Sequence, residues 1–175
     1  MVKIALPCSM RASLTDRQIP SVRHYLPADI DAMIDLFRAS VRMVARRDYT
    51  HEQVMAWAPD EIDRRSWAAR YTSRRAWVAE IDSHVAGFSD LEPDGHLDMM
   101  YAHPAYQGRG VATALLEQVE GAARGLGLAR LYTEASITAR PFFERRGFQL
   151  ITAQIVSTRG QDFINYRMEK HLHKS

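Results

Sequence analysis

Apolar positions along the chain fall into two helical stripes and a series of short runs of strand length. Ile30, Met33, Ile34, Phe37, Val41 and Val44 recur at helical spacing. They predict a helix that starts at Pro27-Ala28-Asp29, where proline is tolerated, and runs to about Arg46. Val111, Leu115, Val119 and Ala122 make the second stripe, with Ala112, Leu116, Ala123 and Leu126 beside it and Gly125 and Gly127 as its stop. Before the first helix, Ser21 to Leu26 can form a strand, with Val22, His24 and Leu26 on one face. Thr50 and Gln53 make a capping box, so a short helix should run from His51 to Trp57 and end at Pro59. Asp60 to Tyr71 reads as a third helical stretch around Ile62 and Trp67.

From Ala76 onward the pattern turns to strands. Trp77 to Ile81 and Val85 to Leu91 flank a turn at Asp82-Ser83-His84. Pro93-Asp94-Gly95 is a second turn, leading into an apolar run from Leu97 to Ala102 that is too short for a helix. Leu128 to Ala135 reads as another strand, and Ala139 to Arg146 as a short helix closed by Gly147. Phe148 to Ser157 and Asp162 to Glu169 form a last hairpin around Arg159-Gly160, in which Ile164, Tyr166 and Met168 alternate as a half-buried strand should.

Between the run ending at Ala102 and the second helical stripe lies His103-Pro104-Ala105-Tyr106-Gln107-Gly108-Arg109-Gly110. Pro104 breaks regular structure, and two glycines then open a helix. The first turn of a helix carries amides without intrahelical partners and a partial positive charge. Amides from Gly108 to Thr113 (Gly108, Arg109, Gly110, Val111, Ala112, Thr113) can therefore converge on phosphate oxygens, with Arg109 adding a full charge at the rim. The usual nucleotide motifs do not fit: there is no G-x-x-x-x-G-K-S/T, and no strand stands directly before a G-x-G-x-x-G.

The spacing Gln107-x-x-Gly110-x-Ala112 resembles the acetyl-CoA signature Q/R-x-x-G-x-G/A of the GCN5-related N-acetyltransferase (GNAT) superfamily. Downstream, Ala139-Arg140-Pro141-Phe142-Phe143-Glu144-Arg145-Arg146-Gly147-Phe148 is similar to the same family's A-x-x-F/Y-F/Y-E-x-x-G-F segment. The detailed resemblance covers about Val78 to Met168. It implies an α/β (α+β) GNAT fold: a central mixed, mostly antiparallel sheet of six to seven strands, splayed in the middle and flanked by about four helices. It implies acetyl-CoA as acyl donor, no metal, and a primary amine of a small molecule or protein as acceptor. Dimerisation is common in this fold, which leaves room for a homodimer.

The resemblance also distributes roles. Backbone groups of Met100, Tyr101 and Ala102 would bind the pantetheine arm as if it were another strand, with Gln107 at the turn and Phe142 and Phe143 lining the arm. The segment between the first helix and the second strand would wall the acceptor pocket, making Tyr49, His51, Trp57 and Trp67 candidate contacts. Glu134 and Asp98 are the candidate bases, His96 a third choice. Many relatives carry a tyrosine acid where this chain has Phe143, and phenylalanine has no proton to give. Ser136, Tyr132, Tyr101 or a water could serve instead, or thiolate could leave unaided. A non-catalytic acyl-CoA-binding module of the same fold is therefore the alternative, and an unrelated nucleotide-binding protein the third reading.

Composition narrows this further. The chain has 175 residues, 46% hydrophobic residues and a net charge of +2. That suits one domain over residues 21–170, with residues 1–20 as a mobile extension. The near balance of charge gives nucleic-acid binding little support, and no run approaches a membrane span. A single cysteine, Cys8, makes the cytoplasm the default compartment.

Overall fold

A computed structural model gives the structure of the protein over residues 19–172. The extension expected at the amino terminus falls almost wholly outside the described residues, as does Cys8. In chain order the elements are β1 (Ser21–His24), α1 (Ile30–Met43), α2 (His51–Trp57), α3 (Arg64–Arg70), β2 (Arg75–Ile81) and β3 (His84–Leu91), then β4 (Met100–Ala102) and α4 (Val111–Gly125). β5 (Arg130–Ser136), α5 (Arg140–Arg145), β6 (Gln149–Thr158) and β7 (Gln161–His171) complete them. The strands form two antiparallel sheets, β1-β2-β3-β4 and β5-β7-β6. One parallel bridge, His96 to Tyr132, joins them. The described residues therefore hold seven strands, within the six to seven expected, split in the middle and flanked by five α-helices where about four were expected.

Two apolar clusters pack the body. α1, α2 and α3 bury Ile30, Met33, Phe37, Val54 and Trp67 against Val78, Phe88 and Met99. α4 and α5 bury Val111, Leu115, Val119 and Phe143 with Trp77, Leu97, Leu131 and Met168. Gly87 sets how closely α4 sits. A Cβ there would lie 2.5 Å from Val111 Cγ1 and 2.9 Å from the Tyr101 carbonyl oxygen. Gly87→Ala is expected to cost about 1–3 kcal/mol by overpacking, read as a lower denaturant midpoint. An unchanged midpoint would contradict this packing.

Several elements are shorter than the sequence suggests. α1 ends at Met43, and a separate 3-10 turn covers Ala45–Arg47. Near the end of α1, Arg42 donates to the Ala58 carbonyl at 3.0 and 2.7 Å and pairs with Asp60 at 2.8 Å. The stretch from Asp60 is not helical until Arg64, because Asp63 caps there and accepts from the Arg65 and Ser66 amides. The Thr50–Gln53 box forms as expected, with bonds of 2.9 and 3.2 Å. Leu26 lies beyond β1, and Ile164 is exposed whereas its neighbour Phe163 is buried. Phe163 packs against Tyr49 and Trp57, whereas Ile164 borders an open cavity, and the side it shares with Met168 is buried only farther along the strand.

Near the first turn of α1, the Arg23 guanidinium grips Asp29 with two bonds of 2.8 Å and also holds Glu80. Those bonds, with the Leu26 amide, hold the Asp29 carboxyl below its ordinary range. A depressed carboxyl contributes stability above its unfolded value, lost as pH falls through the folded one. The stability gap between the native chain and Asp29→Asn should therefore shrink below about pH 4, and a gap independent of pH would refute the assignment.

Candidate active site

The split between the sheets begins where β4 and β5 part. The Leu97 amide donates to the Tyr132 carbonyl at 2.8 Å, and the Tyr132 amide to the Gly95 carbonyl at 3.0 Å. Beyond that rung β4 pairs only with β3, Met100 opposite Ser89 and Ala102 opposite Gly87. This is why the run from Leu97 forms regular strand only at Met100. Leu97 bonds one neighbour, while the Met99 amide is taken by the Asp90 carboxylate at 2.8 Å. Met99 and His103 face β3, through Asp90 N to Met99 O and His103 N to Ala86 O. Strand alternation then aims the backbone groups of Met100 and Ala102 into the gap.

At the far end of β4, Gly108 and Gly110 take φ of +72° and +84°. A Cβ at either would have nothing within 4 Å, so the surface over this turn is open. α4 bonding begins with Ala114 N to Gly110 O at 2.9 Å. The amides of Val111, Ala112 and Thr113 thus have no carbonyl four residues back within the helix. The Val111 side chain is buried under Gly87, so only its backbone belongs to the turn. Arg109 is exposed, its guanidinium 5.4 Å from the Tyr106 ring. A second cation, missed in the sequence, joins it: Arg146 donates to Thr113 Oγ1 at 2.5 Å and stands 5.7 Å over the Phe142 ring. Its position after α5, 33 residues downstream, hid that contact.

A cavity of about 810 Å³ opens from the gap toward α1, α2, α3 and the β6–β7 hairpin. Met100, Tyr101, Ala102, Gln107 and Phe143 line its inner end, and Tyr49, Trp57 and Trp67 its outer walls. His51 does not reach it, being exposed on the first turn of α2, and Phe142 packs beside Phe143 rather than facing the space. Tyr49 ties its segment to the end of the β5–β7 pair: its hydroxyl accepts from the Ile137 amide at 2.9 Å and donates to the Ile164 carbonyl at 3.3 Å. Burial pushes the phenols of Tyr49 and Tyr101 up, so both stay protonated.

Asp98, Glu134 and Ser136 border the cavity, in different surroundings, whereas His96 and Tyr132 do not. Asp98 accepts from Arg74 at 2.7 Å and lies 3.6 Å from Arg70, which makes it part of an ion-pair network. Glu134 shares the open face of β5 with Tyr132 and Ser136, and its Oε2 stands 2.6 Å from His96 Nε2. Ser136 Oγ accepts from the Ala139 amide at 3.1 Å, and its hydroxyl lies beside the Tyr49 phenol. Tyr132 donates to Asp94 Oδ2 at 2.5 Å, and that bond pushes its phenol up to about 12.

A half-sheet split beside a glycine turn, with backbone donors facing the split and a carboxylate at its edge, defines an acyltransferase of the GNAT type. The family model for the acetyltransferase (GNAT) domain matches residues 45–170, and the chain belongs to that family. It is 37% identical over 148 residues to an uncharacterised N-acetyltransferase, YafP, of Escherichia coli K12, covering 84% of this chain and 93% of that one. A crystal structure described as a GCN5-related N-acetyltransferase from Rhodopseudomonas palustris superposes with a TM-score of 0.84 at 36% identity, over 88% of this chain and 96% of that one. The PaiA N-acetyltransferase of Thermoplasma acidophilum, solved with coenzyme A, shares the fold at a TM-score of 0.69 and 21% identity, over 87% and 98%.

Proposed function

We propose that the protein transfers an acetyl group from acetyl-CoA to a primary amine of a small molecule or protein, by direct attack on the thioester. The observation that carries this is the split itself: free backbone groups of Met100 and Ala102 in line with an open, donor-rich turn at Gly108–Thr113. The turn amides, with Arg109 and Arg146, suit a diphosphate. A pantetheine arm along β4 would complete that strand's hydrogen bonds and bring the acyl end to the cavity beside Glu134. Four carboxylates border the cavity (Glu61, Asp63, Asp98, Glu134) against two guanidiniums (Arg70, Arg159). That balance favours an acceptor arriving as an ammonium.

Such an acceptor must lose a proton before its nitrogen can attack. Glu134 is the base in this reading, because Asp98 is already engaged by Arg74. Backbone N–H groups in the gap polarise the thioester carbonyl as its oxygen gains charge. Nitrogen bonds to the carbonyl carbon and the carbon–sulfur bond breaks; the thiolate takes a proton from Ser136 or water, and the second proton that the nitrogen sheds on becoming an amide restores that donor. Phe143, buried and without an acidic hydrogen, favours one competing reading, a coenzyme-binding module without turnover.

Calorimetry with acetyl-CoA and a CoA-release assay over an amine panel separate the two. Native protein should bind acetyl-CoA and release CoA with at least one cationic amine. Gly110→Trp, which sets an indole over the turn at a positive φ, should weaken binding at least about tenfold, the loss of one to two charge-assisted hydrogen bonds. Unchanged binding would remove the coenzyme assignment. Binding without release for any amine would establish the module.

A further inference from the structure

Directly behind Glu134 stands a side chain that the proposed transfer has not yet used. His96 does not line the cavity and its side chain is 18% exposed. Its ring is stacked on Tyr132, centroids 4.7 Å apart and planes at 12°. The backbone is fixed as tightly as the ring. His96 N–H donates to Asp94 Oδ1 at 3.1 Å, its carbonyl accepts from the Glu92 amide at 2.8 Å, and the residue forms the bridge to Tyr132. Tyr132 is itself held by its bond to Asp94, with the Arg130 guanidinium 5.0 Å over its ring. The imidazole is thus one of the best-anchored groups at the junction of the two sheets.

We propose that His96 is the positioning residue for the acetyl-transfer base, its Nε2–H holding Oε2 of Glu134 so that Oε1 alone meets the acceptor amine. The inference rests on the acetyltransferase reading with Glu134 as base. A glutamate at a cavity wall has three side-chain torsions, and an unheld carboxylate presents either oxygen in many poses. A donor 2.6 Å from one oxygen removes most of that freedom before the acceptor arrives. At that distance a proton must lie between Nε2 and Oε2. With the imidazole neutral, that proton is its own, and Nδ1 stands 3.7 Å from Glu92 Oε1, beyond hydrogen-bond reach. The proton count is simple. An N–H bond of the ammonium breaks, an O–H bond forms at Oε1, and the His96 proton stays on Nε2. His96 neither touches the acceptor nor changes its own protonation.

The proposal separates donation from mere bulk, which gives the test. Kinetics of His96→Ala, His96→Gln and Glu134→Gln are compared, with acetyl-CoA affinity and thermal midpoint measured for each. His96→Ala should lower kcat roughly 10-fold, less than the 10²- to 10⁴-fold expected for losing a proton-transfer group, with acetyl-CoA affinity within about twofold. His96→Gln places an amide N–H near the former Nε2 and should recover most of kcat, although it cannot reproduce the stacking on Tyr132. If both variants lose kcat equally, or both lower the thermal midpoint with native kcat, His96 is structural and the proposal falls. Native turnover in Glu134→Gln would overturn it together with the base assignment. Absence of CoA release by the native protein with any amine would overturn it together with the acetyltransferase reading.

Discussion

Glu134→Gln is expected to lower kcat by roughly 10²- to 10⁴-fold, the usual contribution of a positioned proton-transfer group, while acetyl-CoA binds as before. The amide keeps the shape of the carboxylate and cannot take the ammonium proton. Asp98→Asn should have a much smaller effect, under about tenfold, because Arg74 and Arg70 already occupy the Asp98 carboxylate. Steady-state rates with a saturating amine, beside calorimetry of acetyl-CoA, check both. A native rate in Glu134→Gln with a dead Asp98→Asn would transfer the role of base to Asp98.

On stability, the largest loss is expected from Arg74→Met. The Arg74 guanidinium, 15% exposed, joins Asp90 at 2.8 Å, Asp98 at 2.7 Å and Glu92 at 2.6 Å. Asp90 has no exposed side-chain surface, and burial pushes its carboxyl up even with Arg74 in place. Taking the cation away leaves a buried, uncompensated carboxylate, which costs about 3–5 kcal/mol. A carboxyl whose folded value is raised favours the folded state when protonated. The deficit should therefore be greatest near neutral pH and shrink in acid. Urea titrations at two pH values measure it, and a loss below about 1 kcal/mol at neutral pH would show that the site relaxes without its cation.

The parts of this protein that sequence reveals are those written in local chemistry. Thr50 and Gln53 announce the start of α2, and Gly108 and Gly110 the turn before α4, because the residues that form each feature are neighbours along the chain. Arg42 and Arg146 escaped for the opposite reason. Each is bound to a segment distant in sequence, the Ala58 carbonyl and Thr113, and nothing next to either residue signals it. The pairing of Glu134 with His96 across 38 residues is of the same kind. Ile164 misled because alternation assigns a face without saying which part of that face borders an open cavity. Leu97 misled because one apolar run serves two sheets in turn.

That shared run has a wider consequence. Among the described residues the backbones of the two sheets are joined by one bridge, His96 to Tyr132, and farther along Met100 and Ala102 pair only with β3. A donor molecule laid in the channel would act as a temporary eighth strand, so that folding and loading become linked equilibria. Hydrogen exchange at Met100, Ala102 and Glu134 would report occupancy directly. The melting point would then track the supply of donor, the folded state gaining about 2.7 kcal/mol at a concentration a hundredfold above its dissociation constant.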